Sequence, residues 1–123
     1  MRKIKLTCAH ALVKHLIAQK IYIDGQVKPL FPGVFGIFGH GNVACIGQAL
    51  EENKNQLPTY RGHHEQNMAL TGVAYARAKR RKQIFIATSS VGPGSTNLVT
   101  ASAVAMSNSC LLYTSPSPRD LRK

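Results

Sequence analysis

The chain has 123 residues, of which 44% are apolar, and a formal charge of +11 at pH 7. This length fits one domain or part of one, and no apolar run approaches the roughly 18 residues that a membrane-spanning helix needs. The three cysteines stand far apart without disulfide or metal spacing, and the five histidines form no zinc pattern. We therefore expect a protein of the reducing cytoplasm that does not contact a membrane.

The basic charge allows a nucleic-acid-binding function, because patches of lysine and arginine bind phosphate backbones. The densest cluster is the run from Arg77 to Lys82. It stands where the helix that follows Glu65 should end, and cations stabilise the C-terminus of a helix. No aromatic residues are interleaved with it, so a solvated helix end is the preferred interpretation and a nucleic-acid site the alternative.

Residues 110–123 are predicted not to belong to the native protein. Residues 110–120 match one reading frame of a transposon adapter used in DNA library preparation, and the helix before them breaks off without a cap. We therefore interpret residues 1–109 as one native but incomplete domain and residues 110–123 as a disordered, adapter-derived tail. A genuine tail rich in proline and serine is the alternative. The interpretation removes Cys110 from any chemistry and implies that the natural protein is longer.

The apolar pattern predicts a first helix followed by three strand–helix pairs. Residues 7–19 have apolar side chains at helical spacing behind Thr7, a residue suited to cap a helix. A connector over residues 21–32 follows, with a turn at Asp24–Gly25. The remaining predicted elements are strands at 33–38, 57–60 and 84–88 and helices at 43–52, 65–80 and 97–106, the last capped by Ser95 or Thr96.

Strands that alternate with helices in this way predict an α/β fold of three layers, in which helices cover both faces of a parallel sheet. In such sheets ligands bind beyond the carboxyl ends of the strands. Three candidate segments lie there: the loop 39–42, the approach 61–65 and the loop 89–94. We expect these segments to meet at one edge of the sheet.

Glu65 stands out among the acids of the chain. Asp and Glu total only five, and this one lies at the head of a helix of small and apolar residues, between two glycine-rich loops. An acid in the first turn stabilises a helix through its dipole, which would explain Glu65 without any chemistry. A carboxyl group shielded from water can instead act as a general acid or base. The residues alone leave both interpretations open.

The two glycine-rich loops differ in how specific they are. Residues 39–44 satisfy the dinucleotide fingerprint G-x-G-x-x-A, but the acidic residue expected after the next strand is missing, so a nicotinamide or flavin domain is only the runner-up. His40, in this loop, is either an active-site acid or base or an ordinary loop residue. Gly92-Pro93-Gly94 is more distinctive, because it makes a stiff loop of close backbone approach before a helix N-terminus with free N–H groups.

Together these segments resemble the N-terminal, pyrimidine-binding domain of thiamine diphosphate-dependent enzymes. The resemblance covers residues 1–109, and within the superfamily the chain is most similar to the hydrolases of inositol breakdown. The motifs that carry the resemblance to the superfamily are Phe38-Gly39-His40-Gly41, His64-Glu65-Gln66-Asn67-Met68-Ala69 with the helix up to Arg77, and Thr88 to Gly94 followed by Thr96-Asn97-Leu98-Val99-Thr100. The chain departs from the family pattern at the His63–His64 doublet and at Asn67, where related enzymes commonly carry glycine.

The resemblance implies that Glu65 is the catalytic residue. It would share a proton with a ring nitrogen of the cofactor's aminopyrimidine and so promote loss of a proton from the thiazolium ring. The substrate, a cyclic 1,2-dione, would then be opened by cleavage of a C–C bond with water. The residues implied in cofactor binding, besides Glu65, are Gly39, His40, Gly41, Gly92, Pro93, Gly94 and Asn97, and the candidates for substrate contact are His40, His64 and Gln66.

The same resemblance implies parts that residues 1–109 do not contain. In this superfamily a second domain, contributed by a partner subunit, holds the diphosphate and Mg²⁺. We therefore expect no metal site in this chain, a homodimer or homotetramer as the working enzyme, and no activity from the fragment alone. Neither nucleic acid nor a membrane is an expected partner. The alternatives are an acetohydroxyacid synthase-like carboligase domain and, less favoured, a basic nucleic-acid-binding module.

Overall fold

In the computed structural model, which describes residues 3–108 and 113–114, the chain begins with a capped helix. Helix α1 (Cys8–Ala18) follows Thr7, whose hydroxyl oxygen accepts a hydrogen bond of 3.3 Å from the backbone N–H of His10. The helix buries Val13 and Leu16 from its apolar stripe. The predicted helix and its N-cap are therefore confirmed.

A β-hairpin follows α1, in which β1 (Lys20–Ile23) pairs antiparallel with β2 (Gln26–Pro29). The two turn residues, Asp24 and Gly25, have positive φ angles of 49° and 80°. Two left-handed residues in a two-residue loop match the twist of hairpin strands. The sequence prediction placed the turn correctly but described residues 21–32 as a connector, and it therefore missed both strands.

The main sheet is parallel and has the strand order β4-β3-β5-β6. Its strands are β3 (Val34–Gly36), β4 (Thr59–Arg61), β5 (Ile86–Thr88) and β6 (Tyr113–Thr114). The first three correspond to the three predicted strands, and each is shorter than predicted. The parallel sheet inferred from the alternation of strands and helices is confirmed.

Helices connect the strands of this sheet. Helix α2 (His40–Asn42) continues through a π-helix (Val43–Gly47) into α3 (Gln48–Glu52). Helix α4 (Glu65–Ala78) follows β4, and α5 (Pro93–Thr96) and α6 (Val99–Ser107) follow β5.

The helices form a layer on each face of the sheet. On one face the side chains of α1 and α3, among them Val13 and Leu50, pack around Ile86. On the other face Ala69 of α4 and Ala101 of α6 pack against Ala87. Successive residues of a strand point to opposite faces, so Ile86 and Ala87 belong to different cores. The three-layer α/β/α architecture is confirmed.

Two predicted boundaries were wrong. The segment 40–42, predicted as a loop, is the first turn of a helix, and the N–H groups of Asn42 and Val43 both bond to the Gly39 carbonyl, at 3.0 and 3.1 Å. The last helical region begins at Pro93 and not behind a cap at Ser95 or Thr96. The fixed φ of proline suits the first position of a helix, and its missing N–H costs nothing there.

Strand β6 lies within the segment predicted to be an adapter-derived tail. Its two residues pair with Ile86 and Ala87 of β5. The other residues of 110–123 lie outside the described residues, so the origin of this segment stays a prediction. None of the helices that the structure describes is long and apolar enough to cross a bilayer.

Candidate functional site

The three segments predicted to carry function leave the sheet at one edge. Strand β3 lies between β4 and β5, and its last residue, Gly36, is in register with Arg61 and with Thr88. The chain therefore leaves three parallel strands side by side at their carboxyl ends, where open α/β sheets bind ligands. The predicted convergence of these segments is confirmed.

Glu65 is the first residue of α4 and is buried, with 9% of its surface exposed. His64 before it has an extended backbone, with φ −152° and ψ 130°, and makes the transition from β4 to the helix. The carboxylate lies at the positive end of the helix dipole, which stabilises a negative charge. The other acids that the structure describes, Asp24, Glu51 and Glu52, are exposed. Burial thus distinguishes Glu65 from them.

Asn97 and Gly94 are direct neighbours of the Glu65 carboxylate. Asn97 donates a hydrogen bond of 3.1 Å from Nδ2 to Oε2 of Glu65. A Cβ atom on Gly94 would lie 2.9 Å from Oε1, so the chain can pass this close only because residue 94 has no side chain. Of the hydrogen bonds between described residues, none reaches Oε1. One carboxylate oxygen is therefore held in place, and the other has no hydrogen-bond partner among the described residues.

The Gly92-Pro93-Gly94 loop positions these neighbours. Gly92 has a φ of 71°, in the left-handed region that favours glycine, and Pro93 follows as the first residue of α5. Gly94 is then buried in the first turn, and Asn97 is the residue that ends α5. Each residue of the loop has its own role. Gly92 adopts the positive φ, Pro93 supplies the fixed φ of the first helical position, and Gly94 allows the close approach to Glu65.

Ser89 and Ser90 contact both the segment 39–42 and the Gly92-Pro93-Gly94 loop. The sequence prediction did not name them as site residues. Asn42 donates a hydrogen bond of 3.3 Å from Nδ2 to the Ser89 carbonyl. A Cβ on Gly39 would lie 2.8 Å from the Ser90 Cβ, and a Cβ on Gly94 would meet the Ser90 hydroxyl. The signal was present, because both serines directly follow a buried strand inside a quoted motif. From that motif the sequence prediction named only Gly92, Pro93 and Gly94.

Several predicted site residues make no hydrogen bond to the Glu65 carboxylate in the described part of the chain. Five of the predicted residues are exposed, namely His40, Gly41, His64, Gly92 and Pro93, and Gln66 is half-buried. No hydrogen bond between described residues joins any of these side chains to the Glu65 carboxylate. His63 is exposed like His64, as expected for neighbours at a helix start. The functional roles of these residues stay predictions.

A cavity of about 520 Å³ opens elsewhere at this edge and is not lined by Glu65. Its walls come from α1, the π-helix and the loop between β5 and α5, and they include the free cysteines Cys8 and Cys45. The described residues contain no group of three or more His, Cys, Asp or Glu placed to hold a metal ion.

Residues 31–113, more than half of the chain, match one protein family. Its description is thiamine pyrophosphate enzyme, N-terminal TPP binding domain. The chain belongs to this family. The matched segment includes all three loops at the sheet edge, together with Glu65, Gly94 and Asn97. Helix α1 and the β1–β2 hairpin precede it.

Three curated relatives of this thiamine pyrophosphate-binding domain carry the name 3D-(3,5/4)-trihydroxycyclohexane-1,2-dione hydrolase. The protein from Clostridium tetani is 53% identical over 108 residues, and that from Geobacillus thermodenitrificans is 52% identical over 108 residues, in each case 88% of this chain. The protein from Listeria innocua is 51% identical over 107 residues, 87% of this chain. The chain spans about 17% of the length of each of these relatives.

The geometry around Glu65 fits the aminopyrimidine part of the family's cofactor. A flat ring with nitrogen atoms needs a hydrogen-bonding partner at its rim and a backbone that can approach without side chains. Oε1 of Glu65 supplies the first, and the chain at Gly94 supplies the second. The surroundings of the buried carboxylate are thus compatible with such a ring.

Proposed function

We propose that the chain is the N-terminal, cofactor-binding part of a thiamine diphosphate-dependent hydrolase. Its substrate is 3D-(3,5/4)-trihydroxycyclohexane-1,2-dione, and its reaction is hydrolytic cleavage of a C–C bond of that ring, which gives 5-deoxy-glucuronate in inositol catabolism. Family membership supports the cofactor. The name shared by relatives that are 51% to 53% identical supports the substrate.

The observation that carries the proposal is the buried Glu65 carboxylate, which has one oxygen held by Asn97 and one oxygen available. Bound thiamine diphosphate supplies a carbon nucleophile for attack on a carbonyl group. Glu65 shares a proton with a nitrogen of the aminopyrimidine. Because the carboxyl group is largely buried, Glu65 would hold this proton for the bound ring in competition with little water.

Asn97 and Gly94 act through Glu65. The Asn97 amide fixes the rotation of the carboxyl group by binding Oε2, so that Oε1 is presented to the ligand. Gly94 keeps the space beside Oε1 open, since any side chain there would occupy it. Both are positioning residues in this proposal. His40, His64 and Gln66 are proposed to contact the substrate from the same edge.

The remaining requirements of the reaction are assigned to other parts of the enzyme. We place Mg²⁺ and the diphosphate group on another domain, contributed by the second subunit of a homodimer or homotetramer. The chain on its own then has no ring-opening activity. The exposed free thiols of Cys8 and Cys45 suit a reducing cytoplasm, where such groups persist.

Replacement Glu65→Gln in a full-length protein that carries this domain tests the proposal. Exchange of the thiazolium proton of bound thiamine diphosphate, followed by NMR, should slow by roughly 100-fold or more, because an amide cannot share the proton. The control Glu52→Gln removes an exposed carboxylate and should leave the exchange rate within about twofold of the wild type.

Two further measurements separate the parts of the proposal. Binding of thiamine diphosphate to the Glu65→Gln protein is measured in parallel, and a variant that binds the cofactor and exchanges the proton as fast as the wild type would refute the role of Glu65. Ring opening of the dione by the wild type is assayed separately. A wrong substrate and a wrong catalytic residue therefore give different results.

A further inference from the structure

An open cavity at the far end of α4 is lined by three arginines and one asparagine. Its volume is about 490 Å³, and the described residues that line it are Arg77, Arg80, Arg81 and Asn108. Glu65 begins α4, and Arg80 lies just beyond its end, so the two are roughly 20 Å apart at the rise of an α-helix. The cavity is therefore separate from the site around Glu65.

The backbone at Arg80 and Arg81 is strained. Both residues have a positive φ, of 51° and 63°. The Arg80 N–H bonds to the Arg77 carbonyl at 2.9 Å and the Arg81 N–H to the Ala76 carbonyl at 2.7 Å, which is the Schellman pattern of a helix end. Glycine is usual at the position of Arg80 in this motif, because it has no Cβ to oppose a left-handed conformation. Strained backbone of this kind clusters at functional sites in proteins.

The acids of the described residues do not neutralise this cavity. The ion pairs that they form are Glu51 with Lys54, Glu52 with His10 and Asp24 with Lys82. Glu65 is buried against Asn97. Within the part of the chain that the structure describes, no carboxylate pairs with the cavity's arginines.

The two lysines of the run from Arg77 to Lys82 contact residues outside the cavity. Lys79 lies over the ring of Tyr75, with its Nζ 5.7 Å from the ring centroid, and Lys82 pairs with Asp24 at 3.6 Å. Arg81 donates a hydrogen bond of 3.5 Å from Nη2 to the Asn108 carbonyl, which holds it against the end of α6. The run thus divides into lysines with partners outside the cavity and arginines that line it.

The geometry points to an anion-binding site in this cavity, for a small ligand that carries two or more phosphate groups. The planar fork of a guanidinium group binds phosphate oxygens in pairs. Three such groups around one cavity match the charge of a diphosphate better than that of a single carboxylate. Among the described residues that line the cavity there is no aromatic side chain on which a base could stack, which favours a small ligand over a nucleic acid.

Inorganic pyrophosphate is the probe for this site, titrated into the 123-residue chain by calorimetry in magnesium-free buffer of low ionic strength. The wild type should bind it saturably with one site. Arg77→Gln and Arg80→Gly should each weaken binding by about tenfold, as expected for loss of one charge-assisted contact. The control Lys14→Gln removes one positive charge from the exposed face of α1 and should change the affinity less than twofold.

Arg80→Gly is included so that a loss of pyrophosphate binding cannot be attributed to loss of the fold. Glycine is the preferred residue at this helix end, so the variant retains the fold while it loses the guanidinium group. Absence of saturable binding, equal affinity of Arg77→Gln and the wild type, or an equal loss in Lys14→Gln would overturn the proposal. A single-stranded oligonucleotide that binds more tightly than pyrophosphate, and loses affinity in the same two arginine variants, would instead assign the surface to nucleic acid and also overturn it.

Discussion

The amide of Asn97 donates its hydrogen bond to Oε2 of Glu65 across 32 positions of sequence and thereby joins the end of α5 to the start of α4. Both residues sit at the carboxyl edge of the sheet, beyond β5 and β4. The bond supplies a partner for a carboxylate of which only 9% is exposed. A buried charge without such a partner is costly, so this contact matters for stability as well as for the orientation of the carboxyl group.

Asn97→Ala should lower the free energy of unfolding by about 1 to 3 kcal/mol, because it leaves the buried Glu65 carboxylate without its donor. The measurement is urea denaturation at pH 7, followed by circular dichroism. Asn67→Ala is the matched control, since Asn67 lies exposed on α4 and its side chain makes no hydrogen bond to another described residue. That substitution should change stability by about 0.5 kcal/mol or less. Equal effects of the two variants would contradict the importance of the bond.

Gly94→Ala should destabilise the chain by about 1 to 3 kcal/mol, because the added methyl group must displace Glu65 or Ser90. Gly41→Ala is the control. Residue 41 lies in α2, where a Cβ meets nothing within 4 Å, and alanine is favoured over glycine in a helix by roughly 0.5 to 1 kcal/mol. The two glycine-to-alanine changes should therefore have opposite signs in a denaturant titration. A neutral Gly94→Ala would show that the space beside Oε1 is not restricted.

The sequence was sufficient to locate the site edge, because the alternation of strands and helices is a long-range pattern with few structural solutions. The rarity of acids also drew attention to Glu65, and the resemblance to the family pointed to Gly94 and Asn97, the two residues that the structure places beside it. It did not reveal that the side chain of Asn97 binds Glu65. That contact depends on where α5 begins, which Pro93 decides, and the prediction had placed a cap at Ser95 or Thr96 instead.

The Ser95 hydroxyl illustrates why that boundary was missed. Serine is a good N-cap, so a serine before a run of small residues predicts a helix start. In the structure its hydroxyl donates a hydrogen bond of 2.9 Å to the Ser90 carbonyl, inside the first turns of the helical region. The hairpin at Asp24–Gly25 was missed for a different reason. The pair Asp-Gly between short apolar stretches is a strong hairpin signal, and only its turn was used.

The hydrogen bond between Glu52 and His10 should make stability depend on pH. Hydrogen bonds from His10, at 2.6 Å, and from Gln48 hold the pKa of Glu52 below its ordinary value of 4.5. A lowered pKa in the folded state means that the contribution is present above pH 4.5 and is lost as the pH falls through the folded-state pKa. Glu52→Gln should therefore lower the urea midpoint at pH 7, and the difference from the wild type should shrink below pH 4.5.

Glu51→Gln is the control for this titration, since Glu51 pairs with Lys54 within one helix turn and does not join α3 to α1. It should alter the urea midpoint less than Glu52→Gln at pH 7, because an exposed pair of neighbouring residues contributes little. A difference between the wild type and Glu52→Gln that grows as the pH is lowered would contradict the assigned direction of the pKa shift.

Arg80→Gly and Gly25→Ala should shift stability in opposite directions, because both residues have left-handed backbones. Removing the Cβ at residue 80 should raise the free energy of unfolding by about 1 kcal/mol. Adding one at residue 25, where φ is 80° and the Tyr22 hydroxyl lies 4.0 Å away, should lower it by about 1 kcal/mol through the backbone alone.

Thermal and urea denaturation of the two variants provide the measurement, and the double variant gives the internal check. Lys82 pairs with Asp24 and so connects the end of α4 to the hairpin turn; the double variant therefore tests whether the two effects add or are coupled through this ion pair. A stabilised Gly25→Ala would show that the turn at Asp24 has another conformation in solution. A destabilised Arg80→Gly would mean that the guanidinium group contributes more to the fold than its strained backbone costs, and it would place Arg80 in the structure of the helix end.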